Sequence, residues 1–156
     1  MHDLAINLKN RGNKITGSDD IIYNPSKSRL KKNGLLPKTL GYSKDNINND
    51  IDLVITGMHT KEDNIELISS KNKKIPILSY PEYINHLCEN KHRVVIAGSH
   101  GKTTITSMVM HVLKTNKVKF DYLIGAKTKG FKSNISITNN PIIIIEGDEY
   151  LTSPLD

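Results

Sequence analysis

At about 150 residues per domain, a chain of 156 residues has room for one ordinary domain or two small ones, and none for a large multidomain enzyme. Apolar residues at 37% and charged residues at 24% exclude a disordered chain. The net charge is +6, yet the only arginines are Arg11, Arg29 and Arg93, tryptophan is absent and Phe120 and Phe131 are the only phenylalanines, so the arginine forks and stacking platforms of a nucleic-acid binder are missing.

The chain opens on a helix from His2 to Lys9, with Leu4, Ala5 and Leu8 on one face and Gly12 placed to end it. Lys14–Ser18 reads as a short strand closed by Asp19 and Asp20. A helix over Pro25–Lys32 stops at Gly34, and a strand over Ile51–Thr56 ends at Gly57. Glu62–Lys71 is the next helix, Ile75–Leu78 a strand weakened by Pro76, and Pro81–Glu89 a helix with proline in its first turn. A polar break at Glu89–Lys91 separates residues 1–90 from a second unit over 91–156. That unit starts with a strand at Arg93–Ala97, a loop at Gly98–Gly101 and a helix at Lys102–Lys114. A strand at Phe120–Ile124, a glycine-containing stretch at Gly125–Asn134 and an apolar run from Pro141 to Ile145 ending in Glu146 follow.

Strands alternating with helices predict an α/β fold whose parallel sheet is covered by helices, with ligands at the carboxyl ends of the strands. Gly17-Ser18-Asp19 and Gly57-Met58-His59 fall at such ends. Cys88 is the single cysteine, so no intrachain disulfide forms, and a reducing cytoplasm is the expected location. The longest apolar runs fall far short of the roughly 18 residues of a membrane span, so no membrane partner is expected.

The chemistry concentrates in Gly98-Ser99-His100-Gly101-Lys102-Thr103-Thr104, between an apolar strand and an amphipathic helix. Glycines let backbone N–H groups turn toward phosphate oxygens, and the helix N-terminus adds a positive dipole end. Lys102 is placed to reach the outer phosphates and Thr103 to ligate magnesium. A strict Walker loop has glycine where this chain has Ile96, so the motif is a compact variant. The expected ligand is ATP. An apolar strand ending in an acid beside such a loop is how magnesium is commonly held, and Glu146, Asp148 and Glu149 are the competing acids. Among the histidines only His100, inside the loop, is a functional candidate, either catalytic or bracing the loop.

The phosphate loop, the strand Ile142–Glu146 running into Gly147-Asp148-Glu149-Tyr150, and Thr16-Gly17-Ser18-Asp19 together resemble the Mur ligases of peptidoglycan synthesis. The similarity lies in the branch that joins UDP-N-acetylmuramate to L-alanine or to the tripeptide L-Ala-γ-D-Glu-meso-diaminopimelate. Tyr150 and Asp156 tilt it toward the tripeptide. The resemblance implies a Rossmann-like UDP-sugar domain followed by the start of an ATP-binding α/β domain. It also implies a reaction in which ATP phosphorylates the muramoyl carboxylate and an amine attacks the acyl phosphate, releasing ADP and phosphate. By it Lys102 stabilises the transferred phosphoryl group, Thr103 holds one magnesium and Glu146 a second, and Ser18, Asp19, Gly57, Met58 and His59 face the UDP-sugar.

Family members begin with a strand and a glycine-rich turn, and Met1 aligns with the methionine that closes it. The resemblance therefore implies that the first strand, the rest of the ATPase sheet and the amine-binding domain lie outside these 156 residues, which alone are not expected to catalyse. A non-catalytic nucleotide-binding module is the alternative class. Folylpolyglutamate synthetases share such a loop, but the Rossmann-like segment ahead of it argues against them.

Overall fold

The computed structural model describes residues 1–147; Asp148, Glu149, Tyr150 and Asp156 lie outside the described residues. The chain divides into two compact units, Met1–Ile84 and, from Asn85 onward, residues 85–147.

In the first unit α1 (His2–Asn10) buries Leu4 and Leu8, one turn apart, and α2 (Ser26–Lys32) buries Leu30. Gly34, at φ +63°, ends α2 in a left-handed turn. Its N–H donates to Lys31 O at 3.0 Å and that of Leu35 to Leu30 O at 2.9 Å, which satisfies the last carbonyls of the helix. A 3-10 turn at Lys44–Asn46 precedes β1 (Val54–Thr56), α3 (Ile65–Asn72), β2 (Ile77–Ser79) and α4 (Tyr80–Leu87). β1 and β2 are parallel, with Val54 opposite Ile77 and Thr56 opposite Ser79. The division between the units lies within α4, a few residues before the Glu89–Lys91 break on which the sequence boundary rests.

Two sequence expectations need correction here. Lys14–Ser18 forms no strand: among the described residues the sheet of this unit consists of β1 and β2 alone, and 14–18 has no ladder partner. Alternating side chains describe an extended backbone, but a strand exists only where a neighbour takes up its N–H and C=O groups. β1 also starts at Val54 rather than Ile51, because its partner begins only at Ile77. Pro76 has no N–H to extend the ladder, although its carbonyl accepts from Val54 N at 2.9 Å.

The second unit contains β3 (His92–Ile96), α5 (Lys102–Thr115), β4 (Asp121–Leu123), β5 (Ile135–Ser136) and β6 (Ile142–Glu146) in the spatial order β3-β6-β4-β5. β6 runs parallel to both β3 and β4, while β5, absent from the sequence reading, pairs antiparallel with β4. The inner position of β6 explains its unbroken isoleucines, since a strand flanked on both sides has no solvent face to alternate toward. Met110 of α5, Tyr122, Ile124 and Ile144 form the core, with Val94, Leu113, Phe120 and Phe131 packed around them. Tyr122 and Phe131 meet edge to face at 5.1 Å.

A buried polar network ties the sheet together. Asp121, fully buried, pairs with Lys91 at 2.8 Å and accepts from Thr138 N at 2.9 Å, Thr138 Oγ1 at 2.7 Å and Asn140 Nδ2 at 3.0 Å. Lys91 donates in turn to the carbonyls of Thr138 and Asn140, so both charges find partners. No helix among the described residues is long and apolar enough to cross a membrane.

Candidate nucleotide site

The parallel register of β3 and β6 sets Glu146 opposite Ile96, the last residue of β3, immediately before the Gly98–Thr104 loop. Gly147 N then donates to Ile96 O at 2.9 Å and continues the pairing beside the loop. Gly98 at φ +146° and Gly101 at φ +75° occupy backbone conformations that L side chains rarely adopt, so both glycines are required by the turn itself. Gly101 is the N-cap of α5 and has no side chain to cap it, and the first turn holds no acidic residue. The helix N-terminus turns its positive dipole end toward the loop, the arrangement that favours an anion.

Thr103 Oγ1 in that first turn donates to Glu146 Oε1 at 2.5 Å. The other carboxylate oxygen, Oε2, accepts from Gly125 N at 2.8 Å. Lys102 and Thr103 are half-buried at the start of α5, while Gly98, Ser99, His100, Gly101 and Thr104 are exposed. His100 Nδ1 lies 3.2 Å from Ser99 Oγ, within the loop. The two expected magnesium ligands, assigned to separate ions by the resemblance, stand within hydrogen-bond distance of each other: a hydroxyl and a carboxylate, both hard oxygen donors, meet at the mouth of the loop. Magnesium characteristically takes one or two such protein oxygens and completes its shell with water and phosphate, so the residues present fit it.

The second group of predicted residues lies in the first unit. Ser18 Oγ donates to Glu66 Oε1 at 2.7 Å, and the same oxygen accepts from Asn46 Nδ2 at 2.8 Å and Ser43 N at 3.1 Å. Asp19 faces His2 at 3.6 Å and its carbonyl accepts from Gly41 N at 2.9 Å. Gly57-Met58-His59 leaves the end of β1, with Met58 and His59 exposed. No hydrogen bond among the described residues joins this loop to Ser18 or Asp19: Ser18 is tied to Glu66 of α3, and Asp19 to His2 of α1 and to Gly41. Tyr42 stands close by, its hydroxyl pushed up from its ordinary pKa by burial and then by the charges of Asp19, Asp20 and Glu66.

Sequence reasoning missed Gly125, Glu66, Ser43 and Asn46. Gly125 carried a usable signal, because it directly follows a strand on the side where the other site loops lie. Glu66 carried none, since an acid in the first turn of a helix is ordinary.

Sheet topology and register define the class: an α/β protein built on parallel strands. The model of the Mur ligase family, catalytic domain, matches residues 1–92, more than half of the sequence, and the chain belongs to the Mur ligase family. A curated relative, the UDP-N-acetylmuramate–L-alanine ligase of Syntrophomonas wolfei subsp. wolfei, is 35% identical over 156 residues, covering 100% of this chain and 33% of that protein. The ligase of the same name from Dictyoglomus turgidum is 36% identical over 149 residues, covering 96% and 32%. Among solved structures, the UDP-N-acetylmuramate:L-alanyl-gamma-D-glutamyl-meso-diaminopimelate ligase from Neisseria meningitides matches with a TM-score of 0.88 at 25% identity, covering 100% of this chain and 51% of that one. The UDP-N-acetylmuramate-alanine ligase MurC from Thermotoga maritima matches with a TM-score of 0.79 at 27% identity, covering 94% and 34%. The chain spans about a third of the length of the curated relatives it matches.

Proposed function

We propose that the protein is an ATP-dependent ligase of peptidoglycan metabolism that couples the muramoyl carboxylate of UDP-N-acetylmuramate to the amine of L-Ala-γ-D-Glu-meso-diaminopimelate in the cytoplasm. The observation that carries the reading is the meeting of Thr103 and Glu146 at the mouth of a glycine loop that opens a helix. ATP with magnesium would supply the phosphoryl group and the charge neutralisation: the carboxylate takes up the γ-phosphoryl group as ADP leaves, and the amine then attacks the acyl carbon, forming the amide as the bond to phosphate breaks.

The chain's own residues bind and orient. Backbone N–H groups of Gly98, Ser99, His100, Gly101 and Thr104 would receive the phosphates, and Lys102 would place its charge where negative charge develops on the transferred phosphoryl group. Thr103 and Glu146 would hold magnesium, which would neutralise that charge. His100 braces the loop through Ser99 and borders the transferred group. In the other unit Ser18, Asp19 and the Gly57–His59 loop face the UDP-sugar. Within this reading the tripeptide is favoured by the match to the Neisseria ligase over the whole chain and by Tyr150 in Glu146-Gly147-Asp148-Glu149-Tyr150. The second reading, L-alanine as the amine, is favoured by the names of the curated relatives.

The test is phosphate release by the intact protein with ATP, magnesium and UDP-N-acetylmuramate, offered the tripeptide or L-alanine. Release should require the muramate and be faster with the tripeptide, and Lys102→Ala should lower kcat by about 100-fold or more, as loss of a charge-stabilising group does. Turnover with L-alanine alone would move the assignment to the second reading. ATP binding without muramate-dependent release from either amine would leave a nucleotide-binding module and overturn the proposal.

A further inference from the structure

Glu146 is held on both oxygens, and the second hold comes from a residue outside the phosphate loop. Gly125 N donates to Oε2 at 2.8 Å, while Thr103 occupies Oε1. A Cβ built on Gly125 would stand 3.3 Å from Oε2, 3.4 Å from Oε1 and 3.5 Å from the carboxyl carbon. The glycine is thus the donor that orients the carboxylate, and a side chain in its place would press the carboxylate aside by a few tenths of an ångström.

Its backbone is anchored rather than free. Thr128, three residues on, meets Ser107 Oγ at 3.2 Å, and Ser107 donates to Thr103 O at 2.7 Å within α5. The segment that carries the Gly125 amide is therefore tied to the same helix turn that carries Thr103. The Gly125 bond fixes the plane of the carboxylate and holds Oε1 toward the Thr103 hydroxyl, the side on which a cation would sit.

We infer that Gly125 is a positioning residue for the cation site: its amide, aligned by the Thr128–Ser107 contact, orients the Glu146 carboxylate beside Thr103. The inference rests on the phosphate-loop reading above. It assigns Gly125 no contact with nucleotide or cation, and it predicts a loss confined to metal affinity.

The experiment uses the intact protein with Mn2+ in place of magnesium and the β,γ-imido analogue of ATP, reading bound metal by electron paramagnetic resonance and metal-free analogue affinity separately. Gly125→Ala should weaken Mn2+ binding by about 10- to 100-fold, the usual effect of losing a group that orients a ligand, with metal-free analogue affinity unchanged. Thr128→Val adds no bulk and guards against a folding failure of the first variant; it should weaken Mn2+ in the same direction by a smaller factor. Wild-type Mn2+ affinity in both variants, with Glu146→Ala impaired, would overturn the positioning role and leave the phosphate-loop reading standing. Wild-type affinity in all three would overturn the reading and the inference together.

Discussion

Asp121 shows how much one residue can carry. Its carboxylate is fully buried and joins the Lys91 side chain, the Thr138 backbone and the Asn140 amide, which spans the approach to β3, the body of β4 and the turn before β6. Removing one partner of a buried pair strands the other without water. Asp121→Ala should cost about 3–5 kcal/mol, read as a lower midpoint of urea unfolding, whereas a surface acid such as Glu62 should change it little. The sequence marks Asp121 only as a polar residue at the start of an apolar strand, and nothing in it names Lys91, thirty positions earlier, as its partner. Gly98 and Gly101 differ: their roles were legible because glycine spacing before Lys102-Thr103 reports a local backbone need, and positive φ at both meets it. Gly125 falls between the two, local in conformation but long-range in what it contacts.

At the scale of elements, helices were read well because their signals are local. α3 is an example: the Asn64 side chain accepts from Glu66 N at 2.9 Å and Leu67 N at 3.3 Å, capping the helix before Leu67 and Ser70 turn inward. Asn64→Ala should destabilise the protein by about 1 kcal/mol, measured as a shift in the same urea midpoint. The expected start at Glu62 was early because Asp63 and Asn64 are both plausible caps, and only the hydrogen bonds distinguish them. Strands were read less well. Lys14–Ser18 has strand chemistry but no ladder partner, β1 lost its first half to the lack of a partner opposite Ile51, and β5 is a two-residue strand whose pairing with Tyr122 and Leu123 no local pattern announces.

For the molecule as a whole, pH reports burial. The Tyr80 hydroxyl is pushed up to about 12 from an ordinary value of 10.0, chiefly by burial and secondarily by the charge of Asp3. The unfolded chain begins to release this proton near pH 10, while the folded chain keeps it until near 12. Between those values the unfolded state binds fewer protons, so stability falls as pH rises. The contribution is fully present below pH 10 and lost through pH 12. The urea midpoint of the wild type should therefore decline more steeply over this window than that of Tyr80→Phe, and below the window the two curves should run parallel. Tyr42, raised by burial and by Asp19, Asp20 and Glu66, adds a decline of the same sign that both proteins share.

By itself the sequence determined what depends on neighbours a few positions away: the helices, the α/β alternation, the glycine loop opening α5, and the residue types able to hold phosphate and magnesium. Tertiary structure alone decided what depends on residues far apart in the chain. The β3–β6 register brings Glu146 to Thr103, forty-three positions away, the 125–131 segment brings Gly125 to the same carboxylate, and α3 brings Glu66 to Ser18. The physical reason is that backbone propensity and capping act within a turn or two, whereas strand pairing and charge burial are settled only when the sheet assembles and each polar group must find its partner.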